Sequence, residues 1–263
     1  MVLATLDAMS AGGLSYGMVM EGFKKWLTEG KYTATGEVFD VGGTTYAAIQ
    51  NYMRGEPLER CGLADERSNG NGSLMRMLPM VYWVALKYGL EVNPAAVEHI
   101  YRLSGLTHAH IISKVCCVYY VYMGIYIMER GKEVGLHEAM KEAIEAVESY
   151  YYEREEIPCV LQLTGFDSLI DCVKLGRGGV ESTGYVLYSL VASVWSLWHS
   201  KSYKEAVLKA VNLGNDTDTI GAITGSLAGI HYMCVNIPTD WITGLRNRKE
   251  ITDICDRFYE QYK

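Results

Sequence analysis

Residues 214–221, Gly-Asn-Asp-Thr-Asp-Thr-Ile-Gly, place two carboxylates and two hydroxyls within four positions, and apolar, glycine-spaced sequence follows from Ile220 to Tyr232. This order predicts a polar loop that feeds the N-terminus of a buried helix. Gly221, Gly225 and Gly229 recur every four residues and so fall on one helix face. Each glycine costs about 1 kcal/mol against alanine inside a helix. Their regular spacing is explained if that face approaches a second helix closely. The polar residues admit two readings. Asp, Asn and Thr are preferred N-caps, and acids in a first turn suit the helix dipole. One residue satisfies that need, whereas four candidates stand here. Asp216, Asp218 and Thr219 can also face one cation of the magnesium or manganese type, which prefers oxygen ligands.

The rest of the chain reads as helices. The expected segments are 1–9, 16–27 with Gly30 as its stop, 44–53, 74–88, 94–103, 108–130, 134–152, 167–175, 184–199, 203–211, 220–232 and 248–262, with a short turn or helix at 158–165. Pro79 inside the 74–88 pattern predicts a kink or a helix start. No strand is convincing, and neither a linker nor an internal repeat interrupts the pattern. One all-α domain of about ten helices over residues 1–263 follows. Apolar residues make up 49% of the chain, enough to fill a sizeable core. The net charge is −7 and no Lys/Arg run stands out, which excludes an electrostatic footprint for nucleic acid. Seven scattered cysteines without a CxxC pair predict reduced thiols and a cytoplasmic protein. No signal-peptide pattern opens the chain. The apolar stretch 111–128 is interrupted by Lys114, and a core helix explains it better than a membrane span.

Three further segments carry candidate chemistry. Residues 61–73, CGLADERSNGNGS, form a Gly/Asn/Ser loop ahead of a helix. Such a loop, here Ser68, Asn69, Gly70, Asn71, Gly72 and Ser73, exposes backbone N–H groups that can cradle an anion. A surface turn is the equally weighted reading. His108 and His110 lie two apart, so on a helix they point to nearly opposite sides and do not share a metal. A single His at a helix N-terminus beside a pocket fits better, with Ser104 or Thr107 as the cap. Residues 176–183, GRGGVEST, are a second glycine-rich loop, leading into an apolar, buried helix.

The segments SNGNGSLMRMLPM (68–80), LTHAH (106–110), STGYVLYSL (182–190) and LGNDTDTIGAITGSLAGIHY (213–232) occur in this order. Together they resemble the ADP-ribosylglycohydrolase family, the group that contains the dinitrogenase-reductase-activating glycohydrolase. The resemblance covers essentially the whole chain, and the 213–232 segment is its most specific part. It implies an all-α orthogonal helical bundle with a two-metal cluster, magnesium or manganese, in a cleft. It implies a metal-dependent hydrolase cleaving the N- or O-glycosidic bond between ADP-ribose and a protein side chain or small acceptor. ADP-ribose or an ADP-ribosylated protein would be the partner, with neither nucleic acid nor membrane involved. By motif, Asp216, Asp218 and Thr219 would be metal ligands, and Ser68 to Ser73 would lie against ribose and phosphate. His108 and Tyr185 would line the ADP-ribose cleft.

In one respect the chain departs from the family's pattern. That pattern begins with a glycine-rich acidic segment containing a Glu ligand, then a Thr-Asp-Asp-Thr motif, ahead of a helix resembling MVLATLDAM. Met1 stands where that helix has already begun. The expectation is an N-terminally truncated form with an incomplete metal cluster and impaired activity. The alternative is a non-catalytic ADP-ribose-binding or structural protein on the same fold. A phosphatase of the haloacid dehalogenase type, which also uses an Asp-x-Asp core, needs a strand before the first Asp and a Thr four residues after it. Thr219 comes three after Asp216, and residues 209–214 read as a helix end.

Overall fold

The computed structural model describes residues 1–152, 154 and 168–263. Among the described residues the regular elements are helical, and extended backbone meets only at two isolated bridges, Leu63 with His108 and Gly70 with Tyr185. The principal helices are α1 (Val2–Ser10), α2 (Tyr16–Glu29), α3 (Gly43–Met53), α4 (Leu78–Tyr88), α5 (Pro94–Gly105), α6 (Ile111–Glu129) and α7 (Leu136–Tyr152). After the undescribed residues come α8 (Val186–Trp198), α9 (Tyr203–Val211), α10 (Thr217–Tyr232) and α11 (Arg248–Tyr262). The expected all-α class holds, with eleven principal helices and some shorter ones among the described residues where about ten were expected. The expectation for residues 158–165 lies outside the described residues.

Helix α6 is the axis of the fold. Its sequence is apolar on every side, and a helix of that kind belongs in an interior. Residues from Ile112 to Ile127 are buried on all its faces, including Tyr119, Tyr120 and Tyr122. Helices α4, α5, α7, α8 and α10 pack around it. By length and hydropathy α6 is apolar enough to cross a membrane, but 78% of that window is buried inside the protein. It is a core helix, as expected.

The glycine face of α10 lies against α9. A Cβ added at Gly221 would stand 3.0 Å from Val211 Cγ1, and one at Gly225 would stand 3.3 Å from the Tyr203 hydroxyl. The close helix–helix approach read from the spacing is therefore present.

Several boundaries differ from the sequence reading. Pro79 marks a helix start: a short 3-10 turn (Leu74–Arg76) precedes α4, and Pro79 sits in the first turn of α4, where a missing N–H costs nothing. Neither Ser104 nor Thr107 caps α6. His110 does, its Nδ1 accepting from the Ile112 N–H at 3.2 Å. Residues 107–109 are instead tied to Leu63, whose N–H donates to Thr107 O at 3.0 Å and whose carbonyl accepts from Ala109 at 2.8 Å. The segment expected to be helical at 167–175 is a 3-10 helix, Leu169–Lys174.

Candidate functional site

Three loops that the sequence singled out are laced together at the N-terminal end of α10. Gly214 and Asn215 turn the chain with positive φ, 91° and 54°, before Asp216 takes the N-cap position of α10. The second glycine-rich loop sits between the other two. Its Ser182 carbonyl accepts from the Asp216 N–H at 3.1 Å, and its Gly184 carbonyl accepts from the Asn71 N–H at 2.9 Å. The Val186 N–H donates to Asn69 O at 2.9 Å. Residues 68–73, 182–186 and 214–218 thus form one rigid wall.

Asp216 occupies the cap position without capping. Its side chain makes no cap hydrogen bond; Oδ2 instead accepts from Asn71 Nδ2 at 2.6 Å. The same Asn71 amide donates to Ser189 Oγ at 2.8 Å, and Ser189 donates onward to Thr183 O at 2.9 Å. Helix α8 therefore orients Asn71, and Asn71 orients the carboxylate. Such paired contacts fix one oxygen and leave Asp216 Oδ1 outside the network.

A cavity of about 440 Å³ opens at this wall. Asp216, Asp218 and Thr219 line it from α10, Gly70, Asn71 and Gly72 from the first loop, and His108 from the turn before α6. Seven of the eleven residues that the sequence nominated are thus gathered around one space. Neither Gly70 nor Gly72 donates its N–H to protein among the described residues. His108 is 2% exposed, and burial together with the Arg76 charge pushes its pKa down to about 3.

The donor set fits a hard divalent cation in kind, since Asp216, Asp218 and Thr219 offer only oxygen. In number it is short. Among the described residues no group of three His, Cys, Asp or Glu side chains is placed to hold a metal. Three protein oxygens suit one magnesium-type ion that keeps several waters.

The other four nominated residues, Ser68, Asn69, Ser73 and Tyr185, are not among those that line the cavity. Ser68 donates to Asp65 Oδ2 at 2.6 Å, and Asn69 accepts from Ser113 at 3.0 Å and donates to Glu66 O at 3.1 Å. Ser73 is fully buried and accepts from Ser104 at 3.0 Å. Tyr185 pairs with Gly70 through its backbone, and its ring meets Tyr188 edge-on at 5.1 Å. Ser68, Asn69 and Ser73 are buried and brace the loop from within, while Tyr185 is half-buried.

Residues that sequence reasoning passed over complete the cavity: Trp26 at the end of α2, Phe39 and Asp40 in the following loop, Thr44 and Thr45 at the start of α3, and Arg67. The Gly42-Gly43-Thr44-Thr45 run was the available signal, a glycine pair leading into a helix start with two hydroxyls.

The fold and site together define a class, and the comparisons agree with it. The family model described as ADP-ribosylglycohydrolase matches residues 1–263. The chain belongs to the ADP-ribosylglycohydrolase family. It is 25% identical over 254 residues to the ADP-ribosylarginine hydrolase Tri1 of Serratia proteamaculans (strain 568), covering 95% of this chain and 63% of that protein. It is 25% identical over 265 residues to the ADP-ribosylarginine hydrolase Tri1 of Pseudomonas putida (strain GB-1), covering 99% of this chain and 65% of that protein. The chain therefore spans a little under two thirds of the length of these two relatives. A solved structure described as an ADP-ribosylglycohydrolase-related protein complex superimposes with a TM-score of 0.71 at 25% identity, over 100% of this chain and 80% of that one.

Proposed function

We propose that this chain binds ADP-ribose in the cavity and hydrolyses the glycosidic bond that joins it to a protein side chain or small acceptor. What carries this reading is that Asp216, Asp218 and Thr219 share one cavity with Gly70, Gly72 and His108 in a chain matched end to end by the family model. An arginine acceptor is the first to try, because two relatives are named as ADP-ribosylarginine hydrolases.

Each part has a physical task in this reading. The diphosphate meets the Gly70 and Gly72 N–H groups and the Arg67 guanidinium, which lines the same cavity. Trp26 and Phe39 offer aromatic faces to base or sugar. Asp216, Asp218 and Thr219 would hold a magnesium or manganese ion. When bound, that cation supplies polarisation of ribose oxygens and a lowered pKa for its water. Asn71 keeps the Asp216 carboxylate turned toward the cavity. The described cysteines, from Cys61 to Cys255, form no disulfide with one another, which suits a reducing cytoplasm.

One observation favours a second reading, ADP-ribose binding without hydrolysis: among the described residues no third carboxylate, His or Cys groups with Asp216 and Asp218 to hold a metal. Calorimetric titration of ADP-ribose with magnesium and again with EDTA separates the two. Magnesium-dependent binding supports the hydrolase. Binding indifferent to EDTA supports the binding protein. Absence of binding in both contradicts both.

A further inference from the structure

Arg76 is fully buried, and no carboxylate pairs with it among the described residues. Its guanidinium covers the Phe23 ring at 4.5 Å, and its Nε and Nη1 make no hydrogen bond. All of its hydrogen bonding runs through Nη2, which donates to Thr107 Oγ1 at 2.8 Å and to the Leu103 and Ser104 carbonyls at 3.1 and 3.4 Å. A buried, unpaired charge is costly. Here its one bonded edge is aimed at the turn that carries His108.

The direction of the next bond follows from valence. A guanidinium has no acceptor, so in the Arg76–Thr107 contact Thr107 must accept. Thr107 Oγ1 also lies 2.7 Å from His108 Nδ1. The hydroxyl holds a single proton, and Thr107 is fully buried with no other side-chain partner among the described residues. If Nδ1 carried the hydrogen, the Thr107 proton would have no acceptor, a cost of about 1–3 kcal/mol for a buried group. If Thr107 donates to Nδ1, both the Thr107 proton and the Nδ1 lone pair are satisfied, and the imidazole hydrogen sits on Nε2.

Nε2 is the nitrogen that faces the first loop. A Cβ at Gly72 would stand 3.2 Å from it, and one at Gly70 would stand 3.5 Å away. Both glycines line the cavity, and no described residue accepts from Nε2.

We propose that Arg76 and Thr107 are positioning residues that lock His108 in its Nε2–H tautomer, making it a fixed hydrogen-bond donor to an acceptor oxygen of the cavity's ligand. The depressed pKa of His108 is consistent, since a neutral ring carries one hydrogen and the relay decides where. His108 then donates a hydrogen bond without exchanging a proton, so it is neither the general acid nor the general base. That the oxygen belongs to the ADP-ribose diphosphate or a ribose hydroxyl rests on the proposed function; the tautomer does not.

The test is the ring-nitrogen pattern in proton–nitrogen correlation spectra of labelled protein, with His108→Gln identifying the signal among the six histidines. The expected wild-type result is a hydrogen on Nε2 and an unprotonated Nδ1 from about pH 5.5 to 8. Thr107→Val should move hydrogen between the two nitrogens and Thr107→Ser should restore the wild-type pattern. ADP-ribose affinity should fall about tenfold in Thr107→Val relative to Thr107→Ser, the size of one hydrogen bond. A hydrogen on Nδ1 in the wild type, or a Thr107→Val pattern identical to wild type, overturns the proposal. A Thr107-dependent Nε2–H form in a protein that does not bind ADP-ribose upholds the positioning role and removes the ligand assignment.

Discussion

Asn71 Nδ2 donates to Asp216 Oδ2 across 2.6 Å, although 145 residues separate them in the chain. This contact joins the two most chemically loaded loops and makes the orientation of one carboxylate depend on an amide held by α8. Asn71→Leu keeps the approximate volume but removes both donated bonds. The expected result is a loss of about 1–3 kcal/mol in urea-induced unfolding, from the buried Ser189 hydroxyl and the released carboxylate, together with a loss of any magnesium-dependent ADP-ribose binding. Wild-type stability and metal response would show that the amide does not orient Asp216.

The two loop glycines that line the cavity should differ sharply. A Cβ at Gly72 would stand 2.8 Å from His108 Cε1 and 3.0 Å from Thr45 Oγ1, whereas at Gly70 the nearest atom is 3.5 Å away. Gly72→Ala is expected to cost about 1–3 kcal/mol of overpacking and to displace His108, weakening ADP-ribose binding. Gly70→Ala should be tolerated. Thermal melts and calorimetry on the pair check this, and equal behaviour would contradict the close packing of His108 on the loop.

Helix α10 offers a stability test away from the cavity. Gly221→Leu forces a branched side chain into Val211 on α9, and a drop of about 1–3 kcal/mol is expected. Ala222→Leu, one residue on and exposed, should change stability by less than about 0.5 kcal/mol. Denaturant midpoints for the two variants decide whether the glycine face is a packing surface.

His108 gives the protein a pH dependence of definite sign. Its pKa is lowered from 6.5 to about 3 in the folded state, first by burial and then by Arg76. Between those values the unfolded chain binds a proton that the folded chain does not. Stability is therefore fully present above about pH 6.5 and falls as pH drops toward 3, by about 1.4 kcal/mol per unit from this group alone. Burial lowers His99 and His231 as well, in the same direction. Urea midpoints at pH 7.5 and 5 should lie closer together in His108→Gln than in wild type. An unchanged separation would show that His108 titrates normally.

Local patterns were legible in the sequence where one element decides them. The glycine period of α10, the apolar sides of α6 and the Gly30 stop of α2 needed no knowledge of neighbours. The cap of α6 was misread, because residues 107–109 pair with Leu63, a partner more than forty positions away that no periodicity records. The candidate site was legible as three polar loops but not as a wall. That Asn71 reaches Asp216, while Asn69 turns inward to Ser113, depends on how α8 and α6 pack. Trp26, Phe39 and Asp40 were not legible for a related reason: they line the cavity only through the placement of α2 and the loop that follows it.

The central claim is hydrolysis at a site centred on Asp216 and Asp218. Its most direct test is release of ADP-ribose from an ADP-ribosylated arginine substrate by wild type, Asp216→Asn and Asp218→Asn, each with magnesium and with EDTA. The account predicts release by wild type with magnesium only, and a fall of at least about 100-fold in both variants if the cation stabilises the transition state. Release that persists in EDTA, or in both variants, would contradict it, as would absence of release from a wild-type protein that binds ADP-ribose in the presence of magnesium.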